Sequence, residues 1–335
     1  MNSVATTDRA CRASPNNDCY LPLYEGKMIS SFDHRAANVV KSSTALLRKN
    51  QPRYLTSDDK ADPCNTVKSL EWIHDAVCHE RIGSNPGYLV GFTNITGTTN
   101  ERTMACSVLP VTAVSDSIIL VRTSKDPHLL LGLLNSFAFD YLVRQKVGGN
   151  HISLFYLKQL PVLPHSLLSD YSRHLKPLLL ELVYTAWDIR SFAVSLNYAG
   201  PPFRWVEERR SLIRAELDAL MFHLYGINRQ DIIDIMDTFS IVKRKDDQKY
   251  GQFRTKNLIL DRYDAMTRAF EVAHGTLTDT PNSATPPLDQ ASLTRYSNQL
   301  SKALAGHYQT NISPPPADPS QAHLPSTRPS WADQY

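Results

Sequence analysis

The stretch 129-LLLGLLNSFAFDYLVRQKV-147, continued by 148-GGNHISLFYLKQLPVLP-164, decides how this chain is read. Its first part carries apolar residues at three- and four-residue steps and predicts a helix. Gly132, Asn135, Ser136 and Asp140 interrupt the run, so it falls short of the roughly 18 consecutive apolar residues of a bilayer span and is expected in a protein core. Gly148 and Gly149 then predict a hinge, because glycine tolerates positive φ and close backbone approach. The second part predicts a short alternating segment closed by Pro161 and Pro164.

Around this centre the pattern divides. GYLVGFTNI (87–95), MACSVLPVTAV (104–114) and SIILVRT (117–123) are rich in β-branched and aromatic residues and predict strands. From Tyr171 to His274 the apolar spacing is helical, with Gly226 as a stop and Asn228 as an N-cap. The expected class is therefore α+β. Five segments are expected: a disordered start (1–19), a linker or packing segment (20–66) and a β-rich unit with an inserted helix (67–165), then a helical region (166–274) and a disordered, extended Pro-rich tail (275–335) that holds nine of the 21 prolines.

Composition narrows function little. At 335 residues the chain can bury a large core, and 36 basic against 33 acidic residues leave a net charge of +3, so a nucleic-acid footprint has to be local. Five cysteines without a C-x-x-C pair, in a chain expected to carry no signal peptide, point to a reducing cytoplasm and to idle thiols. Cys78, His79 and His74 lack the second spaced pair that zinc requires.

Three further stretches invite chemistry. Gly200-Pro201-Pro202-Phe203 resembles the Pro-Pro-aromatic loop of adenine methyltransferases, but glycine supplies no acceptor for the exocyclic amine, so a helix-starting turn is expected. Glu25-Gly26-Lys27 is half of a metal-dependent nuclease signature whose only upstream partner is Asp18; a charged turn is expected. The third, 242-VKRKDDQKYGQFRTKN-257, is read as a basic loop in which Lys243, Arg244, Lys245, Lys249, Arg254 and Lys256 contact phosphates.

Side chains suited to base edges lie in 93-TNITGTTNERT-103 and after the glycine pair. Asn94, Asn100, Arg102, Asn150 and His151 are the base-reading candidates, since Asn and Arg can bond adenine and guanine edges bidentately.

The run from Leu129 to Pro164, with Asn135-Ser136, Gly148-Gly149 and Leu160-Pro161-Val162-Leu163-Pro164, resembles the recognition core of bacterial restriction-modification specificity modules. These include the TaqI-like specificity domain of adenine-specific DNA methyltransferases. LPLYEGKMISSFDHR, TNERT, LELVYTAWDI, GPPFRW, RAELDALMFHLYGI and IVKRKDDQKYGQFRTK resemble, in that order, the C-terminal region of large restriction-modification and phage-defence methylases. The resemblance implies a module that grips double-stranded DNA while a separate methyltransferase domain or subunit, with its own S-adenosylmethionine, methylates adenine N6. No catalytic residue, metal or cofactor is assigned to this chain. The rival expectations are a partner-binding remnant without DNA-reading activity, and an unrecognised complete methyltransferase or nuclease.

Overall fold

The computed structural model describes residues 12–13, 18–44, 49–83, 87–97, 100–274 and 290–334. The class is α+β, with small sheets packed on a larger helical body. In chain order the first elements are β1 (Arg12–Ala13), β2 (Cys19–Tyr24), β3 (Ala37–Lys41), β4 (Asn50–Tyr54), α1 (Ser57–Ala61), β5 (Trp72–His74) and α2 (Asp75–Ile82). Then come β6 (Leu89–Thr93), β7 (Cys106–Leu109), β8 (Ala113–Val114), β9 (Ile118–Leu120), α3 (Pro127–Leu134), α4 (Phe137–Lys146), α5 (Leu154–Leu157) and α6 (His165–Ser169). The helical body adds α7 (Ser172–Val183), α8 (Arg190–Ser195), α9 (Glu207–Leu224), α10 (Arg229–Asp237), α11 (Ser240–Tyr250), α12 (Arg254–His274) and α13 (Gln290–His307).

β2 pairs antiparallel with β1 and β5 and parallel with β8, β3 and β4 form a hairpin, and β6 lies between β7 and β9. The segment expected as a linker thus belongs to the sheets: β2 reaches forward to residues of the middle block. Its apolar side chains, with Leu109 and Ile118, form one core cluster. A second, larger cluster runs from Phe92 and Val108 through α3, α4, α7, α9 and α12.

The expected single helix from Leu129 is two helices. Ser136 ends the first and caps the second, its hydroxyl accepting from the Phe139 amide at 3.2 Å, as an N-cap side chain does. Asn135 turns inward and bonds both the amide (2.9 Å) and the carbonyl (2.8 Å) of Cys106, so its carboxamide serves as a strand neighbour for β7. The segment after the glycines is not a strand along its length: Ser153 caps the one-turn helix α5, its hydroxyl accepting from the Tyr156 amide at 3.4 Å.

The disordered tail is also corrected where it is described. α13 packs on α12 with Leu300, Ala303 and Leu304 buried. Residues 308–334 run back as a strap: the His323 amide donates to the Pro202 carbonyl at 2.8 Å, and the Arg204 amide to the Gln321 carbonyl at 2.9 Å. Proline-rich chain has few amides of its own to pair and lies extended against donors and acceptors elsewhere. Residues 275–289 lie outside the described residues. Three of the cysteines, Cys64, Cys78 and Cys106, are free thiols, whereas Cys19 is disulfide-bonded.

His223 on α9 stacks face to face on Tyr263 of α12, centroids 3.8 Å apart, and its ring nitrogens meet Tyr296 Oη at 2.8 Å and the Tyr263 carbonyl at 3.1 Å. Burial pushes its pKa down to about 4, and that of His128 likewise. Between pH 6.5 and 4 the unfolded chain takes up a proton that the folded imidazole refuses, so stability falls with pH, by about 3 kcal/mol for His223 across that window. Asp218, which burial pushes up to about 6, acts in the opposite sense between pH 6 and 3.8. The decisive comparison is therefore urea unfolding at pH 7 and 4.5 for wild type and His223→Gln. A smaller acid loss in the variant is expected, and equal losses would remove His223 from this role.

Candidate nucleic-acid interface

The turn after β6 and the segment after Gly149 lie side by side. Ile95 and His151 form an antiparallel bridge, the Thr96 amide donates to the Asn150 carbonyl at 2.9 Å, and the Ile152 amide to the Asn94 carbonyl at 2.8 Å. Asn94 therefore shares one ribbon with Asn150 and His151, which lie 56 and 57 residues further along the sequence. Asn150 and His151 are exposed, whereas Asn94 is half-buried and its amide donates to the Asp116 carbonyl at 2.7 Å. Gly148 and Gly149 have no positive φ, and a Cβ at either would meet nothing within 4 Å. The expected need for a glycine hinge is thus not met by steric necessity here.

Asn100 is exposed at the rim, and its carbonyl and that of Glu101 each accept from the Arg144 guanidinium at 2.8 Å. Thr98 and Thr99 lie outside the described residues. Arg102 is placed differently from its neighbours. Its guanidinium lies 3.2 Å from the Asp140 carboxylate, donates to the Asn135 carbonyl and sits 4.1 Å from the centre of the Phe137 ring. It is held by partners within the fold and is only partly exposed, where it lines the cleft described below.

The basic segment is a helix followed by a turn. Lys, Arg and Gln are good helix formers, Val242 is buried to anchor the face, and Gly251 ends α11 at φ 71° with its amide bonded to the Asp247 carbonyl. Phe253 is buried in the turn, and Arg254 and Lys256 open α12. The six cations are thus not equivalent. Arg254 pairs with Glu208 and Lys256 with Asp237 at 2.7 Å, each less than one-fifth exposed. Lys249 lies 5.0 Å from the Tyr250 ring centre. Lys245 pairs with Glu101, which ties α11 to the polar turn. Lys243 and Arg244 are exposed and form no side-chain hydrogen bond or ion pair among the described residues.

Between the sheets and the helical body lies a cleft of about 1070 Å³. Ile95, Asn100 and Glu101 stand on one side, Lys245 and Thr255 on another, with Tyr54 of β4, which is 72% exposed, also at its edge. Arg214 and Asp218 of α9 also line it. Asp218 accepts from the Phe137 amide at 2.7 Å and so caps α4, a role that favours the charged form; burial outweighs it and raises the carboxyl to about 6. In sequence Asp218 looks like one more polar position of a helix, and nothing in its neighbours marks it.

The two remaining lures are structural. Phe203 of the Gly-Pro-Pro-Phe turn is fully buried, stacks on Tyr198 and donates its amide to the Tyr184 carbonyl at 2.8 Å. The helix beyond starts only at Glu207, so the turn holds the C-terminal strap and does not open a helix. Glu25 pairs with Lys27 at 2.9 Å, while Asp18 lies 3.7 Å from His74. Among the described residues no group of three or more His, Cys, Asp or Glu side chains is gathered for a metal ion, and no helix is long and apolar enough to cross a membrane.

Compared with known proteins, the chain matches no family model, no curated protein and no solved structure.

Proposed function

We propose that this chain is a DNA-recognition module of an adenine-N6 DNA methyltransferase system, of the restriction-modification or phage-defence kind. Its double-stranded DNA ligand is held while a methyltransferase domain or subunit outside this chain supplies S-adenosylmethionine and the methyl transfer. The observation that carries the reading is a chain of contacts that runs from amide side chains to cations, with Asn100 and Lys245 at the cleft. The ribbon with Asn94, Asn150 and His151 adjoins the turn with Asn100, and the Lys245–Glu101 pair joins that turn to the helix bearing Lys243 and Arg244. Cations that neutralise phosphates set orientation and affinity, and amides beside them read base edges.

In this reading the phosphate role falls first to Lys243 and Arg244, then to Lys249. Arg254 and Lys256 spend their charge on Glu208 and Asp237, so they position α12 and neutralise few phosphates. Replacing Lys243, Arg244 and Lys245 together with alanine is expected to weaken binding to all duplexes alike. The slope of log affinity against log salt should fall by about two, one for each free cation. Fluorescence anisotropy of labelled duplexes over a salt series measures both. An unchanged slope would remove α11 from the interface, and wild-type affinity insensitive to salt would remove DNA binding altogether.

A further inference from the structure

Between Asp140 and Asp170 the chain contains no carboxylate, but it contains Arg144, Lys146 and Lys158. Within this acid-free stretch Leu154 and Phe155 are 56% and 70% exposed, unusual for large apolar side chains on a segment otherwise tied to the core. The exposure is not that of a loose loop. Ile152 before them and Leu160 after them are buried in the main core, Leu157 and Leu163 pack against it, and the Tyr225 hydroxyl donates to the Pro161 carbonyl at 2.8 Å. α5 is thus a short turn pinned at both ends, and it holds two apolar side chains out into solvent. It follows His151 by two residues, so it continues directly from the ribbon that carries the amides. Lys146 and Lys158 are exposed on the two sides of it in sequence.

We propose that Leu154 and Phe155 form a wedge that enters between stacked base pairs of duplex DNA next to the ribbon; this rests on the reading of that ribbon as the DNA-facing surface. An apolar side chain on a rigid support can partly unstack a base step and bend the duplex, and the energy of unstacking is recovered when the bent DNA touches more protein. The exposed Lys146 and Lys158 that flank the turn in a stretch without carboxylates, and the adjacent amides, favour a nucleic acid over an apolar protein partner. The patch holds two large side chains, too few for stable burial in a lipid interface without further anchors.

The test uses closed circular plasmid relaxed by a topoisomerase in the presence of saturating full-length protein. Wild type is expected to shift the distribution of topoisomers. The double variant Leu154→Ala, Phe155→Ala should lose that shift at equal plasmid occupancy, while its retardation of plasmid in gels keeps the wild-type salt dependence. Phe155→Leu, which retains apolar bulk, should keep most of the shift. Both positions are exposed, and equal thermal midpoints will confirm that the variants fold. A double variant that shifts topoisomers as wild type does would overturn the wedge and leave the recognition reading standing. Absence of salt-dependent plasmid retardation by wild type would overturn both. Sedimentation with phosphatidylglycerol–phosphatidylcholine vesicles that depends on Phe155, without a topoisomer shift, would overturn the wedge in favour of a lipid surface.

Discussion

Arg35→Met is expected to lose about 3–5 kcal/mol of stability, enough to leave a marginal fold largely unfolded. Arg35 has no exposed surface, and its guanidinium donates to the carbonyls of Asp62, Asn65, Lys60 and Thr185 at 2.9–3.2 Å. Three of those acceptors lie in the segment after β4 and one just past the end of α7, so this side chain ties that segment to the helical body, beside the His34–Asp188 and Arg210–Phe32 contacts. Methionine fills similar volume but leaves those buried acceptors without their donor, and each orphan costs about 1–3 kcal/mol before relaxation. Arg35→Lys should recover only part of the loss, because an ammonium has three donors and no planar fork. Urea unfolding followed by circular dichroism measures both variants. A loss below about 1 kcal/mol for the methionine variant would show that the carbonyls find other donors.

Asp140→Ala should cost a similar amount, about 3–5 kcal/mol. The Asp140 carboxylate is fully buried and accepts from the amides of Thr103 (2.9 Å) and Met104 (2.6 Å), with Arg102 at 3.2 Å and Arg144 at 3.4 Å. The two guanidinium groups lie over Phe137 and Phe239, each 4.1 Å from the ring centre. Removing the carboxylate strands both cations in a region where burial already disfavours the charged form of Arg144. The same change should loosen the 100–103 turn that Arg144 holds by its carbonyls, so DNA affinity is expected to fall as well. Asp140→Asn, which keeps the acceptor and drops the charge, should fall between the two. A variant as stable as wild type would show that Arg102 and Arg144 do not depend on this anion.

The candidate site was partly legible in advance. Asn100, Asn150 and His151 belong to polar stretches between apolar runs, and such stretches fall at the surface because buried loops leave backbone groups unpaired, whereas Asn94 in the same kind of stretch is half-buried. The meeting of Asn94 with Asn150 and His151 in one ribbon is not legible, since the antiparallel bridge between Ile95 and His151 forms between segments far apart in the chain. Arg102 shows the limit most directly. One residue from Glu101 it looks like a reading head, yet the buried Asp140 draws its guanidinium inward. For the six cations, sequence reports charge but not which carboxylates will come within reach, and Glu208 and Asp237 neutralise two of them across helix contacts. Phe155 carries no mark in the sequence, because local apolarity does not distinguish a core side chain from one held out on a pinned turn.

The amino-acid pattern alone determined the α+β class, the strands around 89–93, 106–109 and 118–120, the helical body after Tyr171 and the caps at Gly226 and Asn228. These follow from local periodicity and backbone preference, which neighbours in sequence set almost unaided. Tertiary structure decided the rest: that Ser136 divides one apolar run into two helices, that a lysine-rich segment coils into α11, and that the proline-rich end becomes a strap. It also decided which charges remain free. Those outcomes depend on partners far away in the chain, and the energy of burying and pairing a side chain exists only once the fold has brought the partner near.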